Sequence, residues 1–545
     1  MIPRPKMGRP RLRLWHYSVL LTAVGFLLLA ASRGRLEAPA LAMALAGGGL
    51  GAYYVLRRRT YIRLDINLLY SLLHMYAVST GSQPPGEIVK SASRGPYEPY
   101  SRTYRRIAEL SKRWGYTVPE AVSLASRGER NKAFKEFLER FAVISAVGEE
   151  LTSFLKVEYE TVRFNFQNLY NRSLDSLNVL YGAYASTMVS VIFAVTTLML
   201  LFFFFGGTSL KVVTMSYVAA LASIAALGVL VIAKAPKDVF EARRSRNPRA
   251  LLADLLAVAA FAAGTVISYL MLSTGISYVT VGLSFIVYGL LFAPSGYIIN
   301  NMENLIDEYD RFFPVMIRSL GIYLSQVPDL RQAIKEMSKI ELGRLRRLLQ
   351  DLQSSLALGV DKAVAMARFA VNTGSENIYR SLQIFADAMD HGGDLSEVGV
   401  SLSDNINLLL TLRERKLQVT GNFLSTLVLM HASVVAIMVF MSEMMMYFSQ
   451  LMIPLRAGIS SAFPQIFAIG NVNVPLLEVS TVIFSAAITL INSYILAVTK
   501  VGSVRSFYLF LAMLSAITGG AIIGVTALTS YLFHIFPAGG AGLVP

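Results

Sequence analysis

The chain contains no cysteine, so it has no disulfide, no thiolate metal site and no cysteine nucleophile. It is also short of charge. Only 16% of its 545 residues are charged and 54% are hydrophobic, against about 25% and roughly 45–50% in ordinary soluble domains. No strand-like alternation of apolar and polar residues persists anywhere. A phosphate-binding loop is missing as well. Its nearest approach, Gly81-Ser82-Gln83-Pro84-Pro85-Gly86-Glu87, carries Glu87 where a lysine must meet the phosphates, and its two prolines remove backbone donors that such a loop needs. Carboxylates and basic residues are scarce deep in the apolar runs, which argues against an ion-coupled relay. Asp254 lies near one end of its run, Glu443 and Glu478 near the ends of theirs, and only His431 falls near mid-membrane.

The hydrophobicity that is present is concentrated. Nine runs, at about 15–31, 38–56, 179–206, 210–233, 250–273, 276–299, 421–447, 475–498 and 506–533, come close to or exceed the roughly 20 residues that cross a bilayer core of about 30 Å as a helix. The first follows Arg4, Lys6, Arg9, Arg11 and Arg13 and has signal-peptide character, but Ser32-Arg33-Gly34-Arg35 is a poor cleavage site and a second run follows at once. The net charge of +15 sits mainly where topology puts it. Placing the basic N-terminal tail in the cytoplasm also places Arg57-Arg58-Arg59, the Lys234–Arg249 loop and the Lys500–Arg505 turn inside, with the C-terminus outside. Arg33 and Arg35 in the first outer loop run against this orientation. Nucleic-acid binding is not needed to explain the charge, and we expect none.

The expected organisation is therefore an all-α polytopic membrane protein with two cytoplasmic helical bundles. Its divisions are 1–56 (tail and two spans), 57–178 (first bundle), 179–299 (four spans), 300–420 (second bundle) and 421–545 (three spans). Apolar stripes at helical spacing support both bundles: Ile66, Leu69, Tyr70, Leu73 and Ala77 in the first, Leu345, Leu348, Leu349, Leu352 and Leu356 in the second. Thr117-Val118-Pro119-Glu120 and Asp394-Leu395-Ser396-Glu397 both read as capping boxes. The bundles repeat one another, since Gly115 is followed by Gly148 at the same spacing as Gly359 by Gly392.

Segment 312–420 resembles the cytoplasmic domain of type II secretion and type IV pilus inner-membrane platform proteins. The resemblance is carried by Phe313-Pro314 at the start of a first helix, Leu358-Gly359 before Ala363, and Gly392-Gly393-Asp394-Leu395 before a last helix. Two copies joined by a large membrane portion resemble the archaeal branch, which serves archaella and adhesive pili. Gly148-Glu149-Glu150-Leu151 is a looser version of the last motif, and Pro84-Pro85 and Pro96 interrupt the first copy. The resemblance implies a non-enzymatic platform without cofactors, working with a hexameric cytoplasmic secretion ATPase and with pilin or archaellin subunits, as a homodimer in the lipid bilayer. A transporter or channel is the alternative, favoured by span number alone. A signalling receptor is weaker, because long coiled-coil heptads are missing.

Two sets of residues stand out as candidate sites. Arg102, Arg105, Arg106, Lys112 and Arg113 form one basic group. Arg331, Lys335 and Lys339 fall at i, i+4 and i+8, and Arg344, Arg346 and Arg347 follow. Like charges in a row cost a helix a few tenths of a kcal/mol per pair, so an acidic partner such as the ATPase, or anionic lipid, is expected opposite them. In the membrane, Thr481, Ser485, Thr489 and Ser493 recur every fourth residue with Asn492 beside them, and Gly520 and Gly524 form a small pair. These residues and His431 serve either helix packing or contact with a pilin helix. Asp387, Asp390, His391 and Asp394 gather around one helix end and read as turn and cap residues rather than metal ligands.

Overall fold

A computed structural model describes residues 65–205, 210–236, 248–273, 277–337, 339–459, 474–500 and 502–535. The described residues form sixteen α-helices and no strand. Among the described residues, seven helices are long and apolar enough to cross a membrane. They match seven of the nine expected runs, and the runs at 15–31 and 38–56 lie outside the described residues.

The first unit comprises α1 (Ile66–Ser79), α2 (Pro85–Arg94), α3 (Tyr100–Trp114), α4 (Val118–Ser126), α5 (Lys132–Val147) and the start of α6 (Leu151–Phe205). Three more membrane helices follow: α7 (Leu210–Lys234), α8 (Pro248–Ser273) and α9 (Tyr278–Gln326). The second unit takes the end of α9, then α10 (Leu330–Met337), α11 (Leu345–Ala357), α12 (Lys362–Thr373), α13 (Glu376–Asp390) and the start of α14 (Leu395–Ile459). The last two membrane helices are α15 (Val474–Thr499) and α16 (Phe507–Ile535).

The glycine spacing extends to the whole unit. Shifting the first unit by 244 residues lays α2–α5 and the start of α6 on α10–α13 and the start of α14, with their first residues agreeing to within one position. The caps agree too. Gly115 and Gly359 close their helices in the left-handed region, as do Gly148 and Gly392, and Asn131 and Ser375 cap α5 and α13 by accepting from Phe134 and Ile378 N–H groups.

Three helices do not stop between unit and membrane. Helix α6 has 55 residues, α9 has 49 and α14 has 65, so at about 1.5 Å per residue each is at least twice the length a bilayer core of about 30 Å requires. The expected divisions at 178/179, 299/300 and 420/421 all fall inside these helices. Pro314, expected at a helix start, lies inside α9.

Helices α9 and α16 approach closely along a seam of glycines one heptad apart. A Cβ on Gly282, Gly289 or Gly296 would meet α16 backbone atoms at 3.0 Å or less: Gly519 O, Ala512 O or Leu509 Cα. The partner glycine in the seam is Gly519. Gly520 and Gly524, expected to pack, have no described atom near them, because helical rotation of about 100° per residue turns them off the contact face.

A polar collar lies between the units and the spans. Arg413 on α14 pairs with Asp310 at 2.9 Å and Asp307 at 3.2 Å on α9. Glu303 accepts from Ser503 N at 2.8 Å and Ser506 Oγ at 2.7 Å. Arg505 pairs with Asp254 at 3.1 Å, and the buried Lys416 ammonium donates to Pro236 O at 2.8 Å. Buried charges persist only when paired and hydrogen-bonded, so the collar ties α8, α9, α14 and the α15–α16 turn together.

Candidate functional site

The two units touch through a heavily hydrogen-bonded junction of distant sequence. It is built from α1, the turn at residues 80–84 and α2 on one side, and from α13, the turn at residues 391–394 and α14 on the other. A second internal register, 310 residues long, governs it. Asn67, Ser71, Leu72, Glu87, Ser91 and Ser93 recur as Asn377, Ser381, Leu382, Glu397, Ser401 and Ser403. Asp65 caps α1 as Ser375 caps α13. Ser82, the one described non-glycine residue with positive φ, at 53°, stands where the second motif has Gly392 at 70°. A left-handed residue is needed there to end each helix and turn into the next.

The two motifs cross face to face as a pseudo-two-fold pair. Tyr70 OH donates to Asn377 Oδ1 at 3.2 Å, and in return Arg380, the equivalent of Tyr70, donates to Asn67 Oδ1 at 2.7 Å. Gln83 Nε2 donates to His391 O at 2.9 Å. The turns are so close that a Cβ on Gly81 would sit 2.2 Å from His391 O. His74 is fully buried in this contact. Its Nε2 lies 3.0 Å from Asp387 Oδ2 and 2.9 Å from Ser91 Oγ, and its Nδ1 lies 3.0 Å from Tyr97 OH. Burial works to raise the Asp387 pKa, but the hydrogen bond and charge of His74 and the Ser91 hydroxyl outweigh it and hold this carboxyl below its ordinary value.

Three of the four residues near the end of α13 thus have separate tasks. Asp387 binds His74, His391 Nδ1 contacts Asp387 O at 2.6 Å, and Asp394 accepts from Ser396 and Glu397 N–H groups at 3.0 and 3.1 Å. Among the described residues no group of three or more such side chains is arranged to hold a metal. The capping box expected at Asp394 is only half formed. Asp394 N–H goes to Thr80 Oγ1 at 3.0 Å, while Glu397 turns across the junction to Tyr76 OH at 2.5 Å and Lys156 Nζ at 2.8 Å. The box at Thr117 does form, with Glu120 accepting from Thr117 N–H at 3.0 Å. Beside Glu397, a cleft of about 560 Å³ opens between α6 and α14, lined by Lys156, Glu160, Arg163, Glu397 and Asp404 among others.

The basic candidates are on the outside of both units. Arg102, Arg105 and Arg106 are exposed on α3, and Arg346 and Arg347 on its repeat partner α11. Arg102 and Arg105 both share Glu98, just before the start of their own helix. Arg331 and Lys335 are exposed on α10, but that helix ends at Met337. Lys339 lies beyond it and folds back onto Glu336 at 2.6 Å, so the three do not form one continuous helix face. Arg344 reaches Glu308 at 3.4 Å.

The membrane candidates are inside. Thr481, Ser485, Thr489, Asn492 and His431 are each at most 2% exposed. Thr481 Oγ1 is 3.1 Å from Tyr217 OH on α7. Asn492 accepts from Tyr184 OH at 2.5 Å on α6 and lies 3.0 Å from His431 Nδ1 on α14. His431 Nε2 is 2.8 Å from Thr518 on α16, which is 2.9 Å from Thr489. Ser485, Thr489 and Ser493 each return a bond to the carbonyl four residues back. This polar spine joins α6, α7, α14 and α16 to α15, where every unpaired group costs several kcal/mol in hydrocarbon.

Sequence reasoning named Asp387 only as a turn residue, Tyr70 only in an apolar stripe and Glu397 only in a cap, and it missed His74, Asn377 and Arg380. The signal was the recurrence of Asn67, Ser71 and Leu72 at Asn377, Ser381 and Leu382.

Comparison with known proteins agrees with the resemblance. Residues 316–446, from the end of α9 into the membrane part of α14, match the family described as type II secretion system (T2SS), protein F. The chain is 23% identical over 376 residues to flagella accessory protein J of Methanocaldococcus jannaschii, covering 66% of this chain and 67% of that protein. It is 23% identical over 419 residues to flagella accessory protein J of Methanococcus voltae, covering 71% and 72%. No solved structure matches it. These likenesses support a multi-pass membrane platform protein of the archaellum and type IV pilus type.

Proposed function

We propose that this platform couples a cytoplasmic hexameric secretion ATPase to the insertion of pilin or archaellin subunits into a filament. The carrying observation is that α6, α9 and α14 run unbroken from the joined units into the membrane bundle. Force applied to the units is then delivered to the spans by helices rather than by loops. The direct contact of the units supports one engine gripping both, since surfaces that touch lie on the same side of the spans. The basic flanks support that side being cytoplasmic, with the N-terminus inside and the C-terminus outside. The exposed arginines of α3 and α11 are the docking surface for the ATPase, and the polar spine around His431 and Asn492 keeps the membrane bundle rigid under load. The chain itself performs no covalent chemistry, and it works as a homodimer.

The purified full-length chain in nanodiscs tests this. It is expected to hydrolyse no ATP alone and to change the hydrolysis rate of its partner secretion ATPase when the two are mixed. Robust hydrolysis by the chain alone, or an ATPase rate indifferent to its presence, overturns the reading.

A further inference from the structure

In the 244-residue register of the units the junction is heterologous: the α1–α2 motif of the first unit meets the α13–α14 motif of the second, which is not its counterpart in that register. Because the units repeat, each carries a second copy of the face it does not use. The counterpart of α13 in the first unit is α5, and the counterpart of α1 in the second unit is the end of α9. Both counterparts carry exposed positions where the junction helices are buried. Asn377, Arg380 and Ile384 are buried on α13, while Ala133, Glu136 and Arg140 at the equivalent places on α5 are exposed. Likewise His74 is buried on α1, while Arg318 at the equivalent place on α9 is exposed, as are Val315 and Ile322 beside it.

We propose that the open α5 face of one copy docks on the open end of α9 in a second copy of this chain, repeating the junction between molecules. This rests on the homodimeric reading above and names its interface. Two of the mapped contacts are complementary, whereas those of Tyr70 and Tyr76 fall on the buried Pro314 and Leu320 and are not repeated. The Asn67–Arg380 contact becomes Arg311 opposite Glu136, an ion pair of opposite sign. Both side chains are exposed, and each has a partner on its own helix, Asp307 at 2.9 Å and Lys132 at 3.7 Å. The Gln83–His391 contact becomes Val327 opposite Val147, two exposed valines that are 41% and 67% accessible. Exposed apolar side chains at matched positions are what an unfilled interface presents. One feature sets a limit on closeness. Gly81 is replaced by Ser325, so the turns stand further apart between molecules than within one. Two copies related by a two-fold axis make the contact twice and close a ring of four units, which a head-to-tail interface requires if it is not to run on as a filament.

The absence of cysteine makes the test clean. In membranes carrying the full chain, Arg311→Cys and Glu136→Cys are introduced together and treated with a short bismaleimide. The expected product is a covalent dimer, lost with either cysteine alone. Asn67→Cys with Arg380→Cys serves as the internal control and gives a cross-link within one chain. A charge exchange, Arg311→Glu with Glu136→Arg, is expected to retain dimer, whereas either reversal alone weakens it several-fold. Light scattering in nanodiscs separates the two levels of inference. A dimeric chain with no 311–136 cross-link overturns the interface and leaves the dimer standing. A monomeric chain overturns both.

Discussion

Asn67 and Asn377 occupy the same place in two motifs 310 residues apart, and each accepts a hydrogen bond from the residue equivalent to the other's donor: Tyr70 to Asn377 and Arg380 to Asn67. The reciprocity makes the junction a specific interface and not an incidental contact between bundles. Asn377 is 2% exposed and also reaches Asp310 at 3.3 Å, so its side chain links the junction to the Arg413 collar.

Asn377→Ala leaves the Tyr70 hydroxyl short of a partner in buried surroundings, while Asp310 keeps Arg413. An unmade buried hydrogen bond costs about 1–3 kcal/mol. The expected outcome is a lower unfolding midpoint together with faster amide exchange in α1 and α13. Exchange unchanged in both helices would mean that the units are held together elsewhere.

The His74–Asp387 contact predicts an acid-sensitive junction. The carboxyl of Asp387 has its pKa below the ordinary value in the folded state, so its stabilisation is complete above the unfolded value of about 3.9 and is lost as pH falls through the folded one. Opening of the junction below about pH 4 is expected, read as exchange in α1 and α13. Asp387→Asn is expected to weaken the junction at neutral pH and to flatten the response to acid. An unaltered acid profile in this variant would assign the sensitivity to other carboxylates.

The heptad seam on α9 makes a sharper claim about the membrane bundle. At Gly289 a Cβ would lie 2.8 Å from Ala512 O, and backbone cannot move aside as a side chain end can. Gly289→Leu is therefore expected to cost at least about 1–3 kcal/mol and to reduce the yield of folded protein. Gly520→Leu, on the open face of α16, is expected to be tolerated. Equal tolerance at both positions would remove the seam as a determinant of packing.

How far the sequence foretold these features depends on the range of the interaction concerned. Helix type and approximate ends follow from near neighbours, so the stripes, the Thr117 cap and the repeat of Gly115 and Gly148 in Gly359 and Gly392 were legible. The face of a helix that is used depends on distant partners, which is why Gly519 and not Gly520 entered the seam. Glu397 sat at the right spacing for a cap but was drawn away by Tyr76 and Lys156, residues far off in the chain. Continuity of α6, α9 and α14 was hidden because hydropathy changes abruptly at the membrane edge while backbone conformation does not. The residues of the polar spine were visible as a period of four; their roles were not, since periodicity cannot say whether a polar face looks inward or toward a partner.

The basic edges give the prediction that bears most directly on function. Arg346 and Arg347 are exposed on α11, and Arg102 holds the place of Arg346 on the repeat partner α3. Surface substitutions away from buried features usually change stability by less than about 0.5 kcal/mol, so Arg346→Glu with Arg347→Glu is expected to fold normally. If these arginines meet an acidic ATPase surface, the double reversal abolishes the change in hydrolysis rate, and the wild-type effect itself weakens as salt is raised. Anionic lipid predicts something different: coupling to the ATPase persists, and the reversed chain instead loses its response to the anionic lipid content of the nanodisc. Repeating the reversal as Arg102→Glu distinguishes the units. Loss of coupling from α11 alone would mean that only the second copy docks, whereas equal loss from α3 would mean that the ATPase grips both and drives the long helices together.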